Sequence, residues 1–279
     1  MLKRSWQGLI GLILGVFFLA QTGCVYARQD LVDSTSVPVV SARAAVLIDA
    51  RTGALLYEKN AFMEMDPAST TKMMTALLVI ENGHLQRVVS VSTRAAQTPG
   101  SRLKIYRGEH YTEMDLLRGM LLRSGNDAAV ALAEAVSGSV PRFVAQMNVK
   151  AQELGAFNTA FENPNGLTAP GHYSSAYDLA LIARQAMNNA VFRHIVGTHK
   201  EKIVEIGRHK EREITNTNQL LTVFPGADGI KTGTTNAAGQ CLVASATRNG
   251  QQLIAVVLHS NQRYRDAKTL LTWGFDHWQ

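Results

Sequence analysis

Asp66-Pro67-Ala68-Ser69-Thr70-Thr71-Lys72-Met73-Met74-Thr75-Ala76-Leu77-Leu78 sets a serine and a lysine three residues apart at the head of an apolar run. Pro67 suits the first position of a helix, and the residues that follow are good helix material. Positions i and i+3 share a face, so the Ser69 hydroxyl and the Lys72 amine are expected within hydrogen-bond reach. The first turn also leaves N–H groups unpaired at the positive end of the helix dipole. One short segment thus offers a hydroxyl, a base for it and amide donors for a developing oxyanion. Taken alone, the pair is equally an ordinary cap beside a solvated amine, because Ser-x-x-Lys recurs by chance in long sequences. Its meaning depends on partners elsewhere in the chain.

Working outward, residues 44–49 and 54–57 are strand-like and separated by Arg51-Thr52-Gly53, which predicts a hairpin. The Ser69 helix is expected to stop near Gly83, a natural left-handed terminator. Signals are mixed over residues 84–110, where 88–91 and 103–106 look extended. Thr112-Glu113-Met114-Asp115 opens a helix in the manner of a capping box. Further helices are predicted over 127–136, 141–154 and 177–187, with Gly155 stopping the second of these. Beyond Gly197 come extended segments with a turn near Gly207. Strands at 229–232, 240–247 and 251–259 follow, the last two joined by Asn249-Gly250, a strong hairpin signal. A helix over 264–277 closes the chain.

This order predicts an α+β fold. The early and late strands join in one five-stranded antiparallel sheet with helices on both faces, beside a mostly helical lobe. The Ser69 helix and the closing helix are expected on the same face of that sheet. A cleft is expected where sheet and lobe meet.

Residues 1–27 carry the marks of an export signal: Lys3 and Arg4, an apolar stretch over 9–20, and small residues at Val25-Tyr26-Ala27. Cleavage after Ala27 is the first expectation. The second is a lipid on Cys24, since Thr22-Gly23-Cys24 is half of a lipoprotein signal. Left uncut, the uncharged stretch 5–27 is long enough to remain as a membrane anchor. Residues 28–279 are then expected to form a single catalytic domain that ends directly after the closing helix. Cys241 would be the one remaining thiol, without a disulfide partner and best read as a small buried hydrophobe. Without Lys3 and Arg4, 26 basic residues stand against 22 acidic ones, a net +4 spread along the chain. That pattern is not the footprint of a nucleic-acid binder.

Two further stretches matter. Ser124-Gly125-Asn126 lies between two predicted helices, and Lys231-Thr232-Gly233 ends a predicted strand after Asp228-Gly229-Ile230. Each has an ordinary explanation: a cap or turn for the first, an anti-aggregation lysine on an edge strand for the second. Ser-x-x-Lys, Ser-x-Asn and Lys-Thr-Gly occur here in that order, at spacings near 50 and 100 residues, behind an export signal. Together they form the motif set of penicillin-binding proteins and serine β-lactamases.

The chain resembles the low-molecular-weight penicillin-binding proteins of the D-alanyl-D-alanine carboxypeptidase family over nearly all of its exported part. The likeness extends to Leu122-Arg123-Ser124-Gly125-Asn126-Asp127-Ala128-Ala129, Phe161-Glu162-Asn163-Pro164-Asn165-Gly166-Leu167 and Leu271-Thr272-Trp273-Gly274-Phe275. The resemblance implies a β-lactamase/transpeptidase-like fold and an exported enzyme acting on peptidoglycan stem peptides. It implies Ser69 as nucleophile, a neutral Lys72 as proton acceptor and Ser124 as proton relay to the leaving D-alanine. Asn126 is implied to hold the acyl side and orient Lys72. Lys231, Thr232, Gly233 and Thr234 are implied to bind the terminal carboxylate and, through the N–H groups of Ser69 and Thr234, the oxyanion. β-Lactams are implied as inhibitors, and no metal or cofactor is required. Arg263 is near enough in the predicted closing helix to reach the carboxylate, although a solvated charge is the plainer expectation.

Three rival activities remain on the same residues. An endopeptidase would cut crosslinks with the same machinery. A class A β-lactamase would need a loop glutamate, and Glu162-Asn163-Pro164-Asn165 departs from the Glu-x-x-Leu-Asn pattern, so an exposed charge is expected at Glu162. A non-catalytic wall-binding domain would be expected to have lost Ser69, Lys72 or Lys231. His172 stands alone and is expected to be structural.

Overall fold

A computed structural model describes residues 37–278. The expectations for residues 1–27 and for Cys24 lie outside the described residues.

The chain begins with β1 (Ala44–Asp49) and β2 (Leu55–Lys59), then a 3-10 turn over Ala68–Thr71 that runs into α1 (Lys72–Asn82). Next come β3 (Val88–Ser90), α2 (Thr93–Gln97) and β4 (His110–Thr112). The helical lobe continues through α3 (Glu113–Arg123), α4 (Asn126–Ser137) and α5 (Val140–Glu153). It ends with α6 (Ala176–Met187) and α7 (Ala190–Gly197). A hairpin of β5 (Lys200–Glu205) and β6 (Lys210–Thr215) leads to the short α8 (Leu220–Val223). The last elements are β7 (Ala227–Thr235), β8 (Gly239–Arg248), β9 (Gln251–Ser260) and α9 (Arg263–His277).

The expected five-stranded antiparallel sheet is present, in the order β2-β1-β9-β8-β7, which leaves β7 at an edge. Side chains alternate across it, as a period of two requires. Ala45 and Leu47 of β1 join Leu253 and Ala255 of β9 in a core closed by Leu270 and Leu271 of α9. Val46 and Ile48 join Ile254 and Val256 in the larger core shared with Met73, Met74 and Leu179 of the helical lobe. The helix α1 that follows Ser69 and the closing helix α9 therefore lie on opposite sides of the sheet, against the expectation that they share a face. The reason is this alternation: α9 fits the Leu47–Leu253 face, and Gly274 lets it approach so closely that a Cβ there would stand 2.6 Å from Leu47. Asp266 in its first turn fastens the start of the fold, accepting from the Ser41 and Ala42 N–H groups and from the Ser41 and Ser260 hydroxyls.

Local signals were reliable where the chemistry is local. Gly83 caps α1 in the left-handed conformation, and the Thr112 side chain accepts from the Asp115 N–H at the start of α3. Asn249 and Gly250 both take positive φ, 50° and 80°, as a two-residue turn between β8 and β9 requires. Residues 103–106 do not form the expected strand. Their N–H groups turn inward instead, and the Asp127 carboxylate accepts from Leu103, Lys104 and Ile105. The helix α7, the short α2 and the strand β4, which pairs with β3, were not anticipated.

Candidate active site

Ser69 lies in the 3-10 turn rather than in the α-helix itself. With three residues per turn, a 3-10 helix eclipses positions i and i+3. Lys72 thereby stacks under Ser69, and its Nζ donates to Ser69 Oγ at 2.8 Å. The residue before Ser69, Ala68, is held at a φ of +47°, a conformation unfavourable for a side-chain-bearing residue. It is pinned from both sides: a Cβ on Gly166 would meet the Ala68 carbonyl oxygen at 1.8 Å, and one on Gly233 would meet the Ala68 Cβ at 3.1 Å. Ser69 is half-buried between the buried Ala68 and Thr70.

Lys72 is fully buried. Besides Ser69, its amine donates to Asn126 Oδ1 at 2.7 Å and to the Asn165 carbonyl. Asn126 opens α4, one residue beyond the Gly125 cap that follows Ser124, and Ser124 ends α3 in the left-handed conformation at φ 60°. Asn126 Nδ2 donates to the Pro99 carbonyl at 2.7 Å and keeps its second hydrogen. Among the described residues no hydrogen bond joins the Ser124 hydroxyl to Ser69 or Lys72, although Asn126, two positions on, is locked to that amine.

Asn165 belongs to a loop fastened at several points. Asn163 Oδ1 accepts from the N–H groups of Asn165, Gly166 and Leu167, and Thr75 of α1 donates to the Pro164 carbonyl. His172 Nδ1 accepts the Glu162 N–H, which leaves the proton on Nε2 to reach Thr71 Oγ1 at 2.9 Å. Burial, with a contribution from Lys72, pushes the His172 pKa down to about 4. His172 is thus a neutral strut between loop and helix, as expected of a structural histidine. Glu162 is exposed.

The edge strand β7 supplies the opposite wall. Lys231 pairs across the sheet with Val243, and Gly233 with Cys241, residues whose side chains belong to the core on the lobe side. Lys231 consequently points toward the Ser69–Lys72 segment and is 1% exposed. Gly233 runs past the Ser69 amide: a Cβ on it would lie 3.2 Å from that nitrogen. Thr232 pairs with Leu242 and therefore faces the other way, where its hydroxyl meets Thr217 Oγ1 at 2.8 Å. Thr234 is exposed, and Arg263 donates to its Oγ1 at 2.8 Å and to the Gly233 carbonyl at 2.9 Å.

Arg263 is not the solvated charge expected of it. Its Nε is buried without a partner, while its other end braces the strand. The electrostatics follow from this packing. Burial and then the nearby Lys231 hold the Lys72 amine well below the usual lysine range, against an opposing pull from Asp127. Burial and then Arg263 push Lys231 down to about 7. Two fixed acceptors, Asn126 Oδ1 and the Asn165 carbonyl, can take both hydrogens of a neutral amine, which turns its lone pair toward Ser69.

The family described as D-alanyl-D-alanine carboxypeptidase matches residues 32–262. The chain belongs to that family. Among relatives, D-alanyl-D-alanine carboxypeptidase DacF of Bacillus subtilis is 40% identical over 96% of the chain and 70% of its own length. DacC of Escherichia coli is 37% identical over 93% of the chain and 66% of its own length, so the chain spans about two thirds of these carboxypeptidases. The solved Streptomyces K15 DD-transpeptidase superposes with a TM-score of 0.81 at 33% identity, covering 86% of this chain and 99% of that one. The β-lactamase/transpeptidase-like fold implied by the motifs is the one found.

Two contributors to the carboxypeptidase-family site escaped the sequence. The Asn165 contribution is a backbone carbonyl, which no residue type announces, although the quoted Asn163-Pro164-Asn165-Gly166 stretch contains it. Thr217 lies in no recognised motif, and only the β6–α8 connection brings it to Thr232.

Proposed function

We propose that this family member is a serine D-alanyl-D-alanine carboxypeptidase that removes the terminal D-alanine of peptidoglycan stem pentapeptides through an acyl-enzyme on Ser69. The observation that carries the reading is the Lys72 amine, buried, with its pKa pushed well below the usual lysine range by burial and then by Lys231, and held against Ser69 by two fixed acceptors. As Ser69 Oγ attacks the penultimate carbonyl, its proton passes to Lys72. The developing oxyanion is held by the N–H groups of Ser69 and Thr234. Ser124 relays a proton to the leaving nitrogen, the C–N bond breaks, and D-alanine departs. Water then cleaves the ester. Lys231, Arg263 and the Thr234 hydroxyl receive the substrate's terminal carboxylate, the first two by charge. Thr232 contributes by holding Thr217 rather than by touching substrate.

β-Lactams acylate Ser69 by the same attack and are released slowly, because no carboxylate stands among the described partners of Lys72 to activate water as a class A β-lactamase does. The place of action is outside the cytoplasmic membrane, where stem peptides are found. A second reading is favoured by the likeness to the K15 DD-transpeptidase: an amine rather than water resolves the acyl-enzyme.

The deciding experiment supplies a stem pentapeptide and a crosslinked muropeptide dimer, with and without a free amine acceptor. D-Alanine release from the pentapeptide, with the dimer intact, is the expected result. Cleavage of the dimer alone would make the protein an endopeptidase, and a crosslinked product would make it a transpeptidase.

A further inference from the structure

The site has a direction. Arg263 and Thr234 stand at one end, Ser69 and Lys72 in the middle, and Asn126 and Asn165 at the other end. With the leaving carboxylate at the Arg263 end, the acyl half of the peptide must run toward Asn126 and Asn165. Beyond them lies a cavity of about 350 Å³ that includes Arg94, Gln97, Pro99, Val130, Asn163 and Asn165 in its lining. Two of these residues also hold catalytic groups: the Pro99 carbonyl accepts from Asn126, and the Asn165 carbonyl accepts from Lys72. The cavity therefore starts one residue away from the reacting atoms.

Its lining is mixed. Pro99 and the buried Val130 give apolar surface, Gln97 and Asn163 add amides, and Arg94 is exposed. The Arg94 guanidinium makes no hydrogen bond or ion pair among the described residues. Of the arginines on either side of it in sequence, Arg87 bonds to Glu113 and Arg102 to the Ala96 carbonyl. An aliphatic arm that ends in a carboxylate matches such a lining, whereas an arm ending only in an ammonium brings like charges together.

We propose that this cavity is the subsite for the side chain of the residue preceding the acylated D-alanine, and that Arg94 selects a diamino acid arm bearing a free carboxylate. The proposal rests on the carboxypeptidase reading above. It assigns a specificity role to a stretch outside the three motifs.

The test uses three stem pentapeptides that differ only in the third residue: diaminopimelate with its side-chain carboxylate free, the same residue as the carboxamide, and L-lysine. Wild-type enzyme is expected to favour the free acid by about fivefold in kcat/KM, the scale of a solvent-exposed ion pair. Arg94→Gln brings the ratio of acid to amide close to one, and Arg94→Lys restores part of it. Lys268→Gln, an equal change of charge on exposed α9 surface, keeps the wild-type ratio. A wild-type enzyme indifferent to the three peptides, or an Arg94→Gln variant with the ratio intact, overturns the proposal. Failure of the underlying reading looks different: no D-alanine from any of the three peptides.

Discussion

Lys72 and Lys231 are both sealed from solvent, at 0% and 1% exposure, yet they rest in different beds. Lys72 has three acceptors drawn from three separate pieces of chain: the 3-10 turn, the start of α4 and the Asn163–Asn165 loop. Lys231 has one among the described residues, the carbonyl of Thr232 beside it. An ammonium carries three N–H donors. Lys72 can spend all of its donors within the protein, whereas Lys231 keeps donors for a ligand. Burial alone does not tell what an amine does. The count of fixed acceptors separates a base, whose lone pair must be aimed, from an anion receptor, whose donors must stay open.

The most drastic way to break this comparison is to remove the group at which Lys72 is aimed. Ser69→Ala is expected to lower D-alanine release by about 10⁴-fold or more, with an unchanged fold by circular dichroism. Wild-type turnover by the folded variant ends the acyl-enzyme reading. Asn126→Ala takes away one of the two acceptors that orient the neutral amine, and a fall in kcat of about 10²- to 10³-fold is expected. If only KM changes, Asn126 merely binds peptide and the orientation argument is lost.

Lys231→Ala addresses the other bed. Its kcat/KM for a free C-terminal carboxylate should drop about 10- to 100-fold, the worth of a hydrogen bond to a charged group, with a smaller drop for the C-terminal amide. Equal losses on both substrates would remove Lys231 from the carboxylate.

The smallest effect is a displacement of the pH profile. Lys231 is pushed down to about 7 by burial and then by Arg263. Its charged form, the one that attracts a carboxylate, predominates below that pH, so kcat/KM should decline as pH rises through about 7. Arg263→Gln removes the repelling charge, raises the Lys231 pKa and should carry this alkaline limb upward by about half a unit to one unit. A limb that stays in place shows that another group titrates there. The Lys72 limb has the opposite sense, since activity there grows as the amine loses its proton.

The elements that could be read from sequence are those whose cause lies within a few residues. The Ser69–Lys72 contact needs only one turn of helix. Gly83, Thr112 and Asn249-Gly250 act through their own backbone or the next turn, and all three sit where they were expected. Residues 103–106 show the limit of such reasoning. Their apolar alternation suggests a strand, but a buried carboxylate 22 to 24 positions away takes the N–H groups of the first three, and Glu109 takes that of Tyr106. Arg263 shows the same limit from the other side, since a charged residue at a helix start is usually solvated and becomes a brace only because α9 ends up beside β7.

By itself the sequence determined the class of fold, the order of its elements and the identity of the chemical groups, because patterning, caps and motif residues are local properties of the chain. Only the tertiary structure decided which face of the sheet α1 and α9 occupy. It alone also brought the Asn165 carbonyl to Lys72, turned Thr232 toward Thr217 and set Arg263 against Lys231. These outcomes depend on packing between segments far apart in the chain, 227 positions in the case of Leu47 and Gly274, and on backbone atoms that every residue possesses.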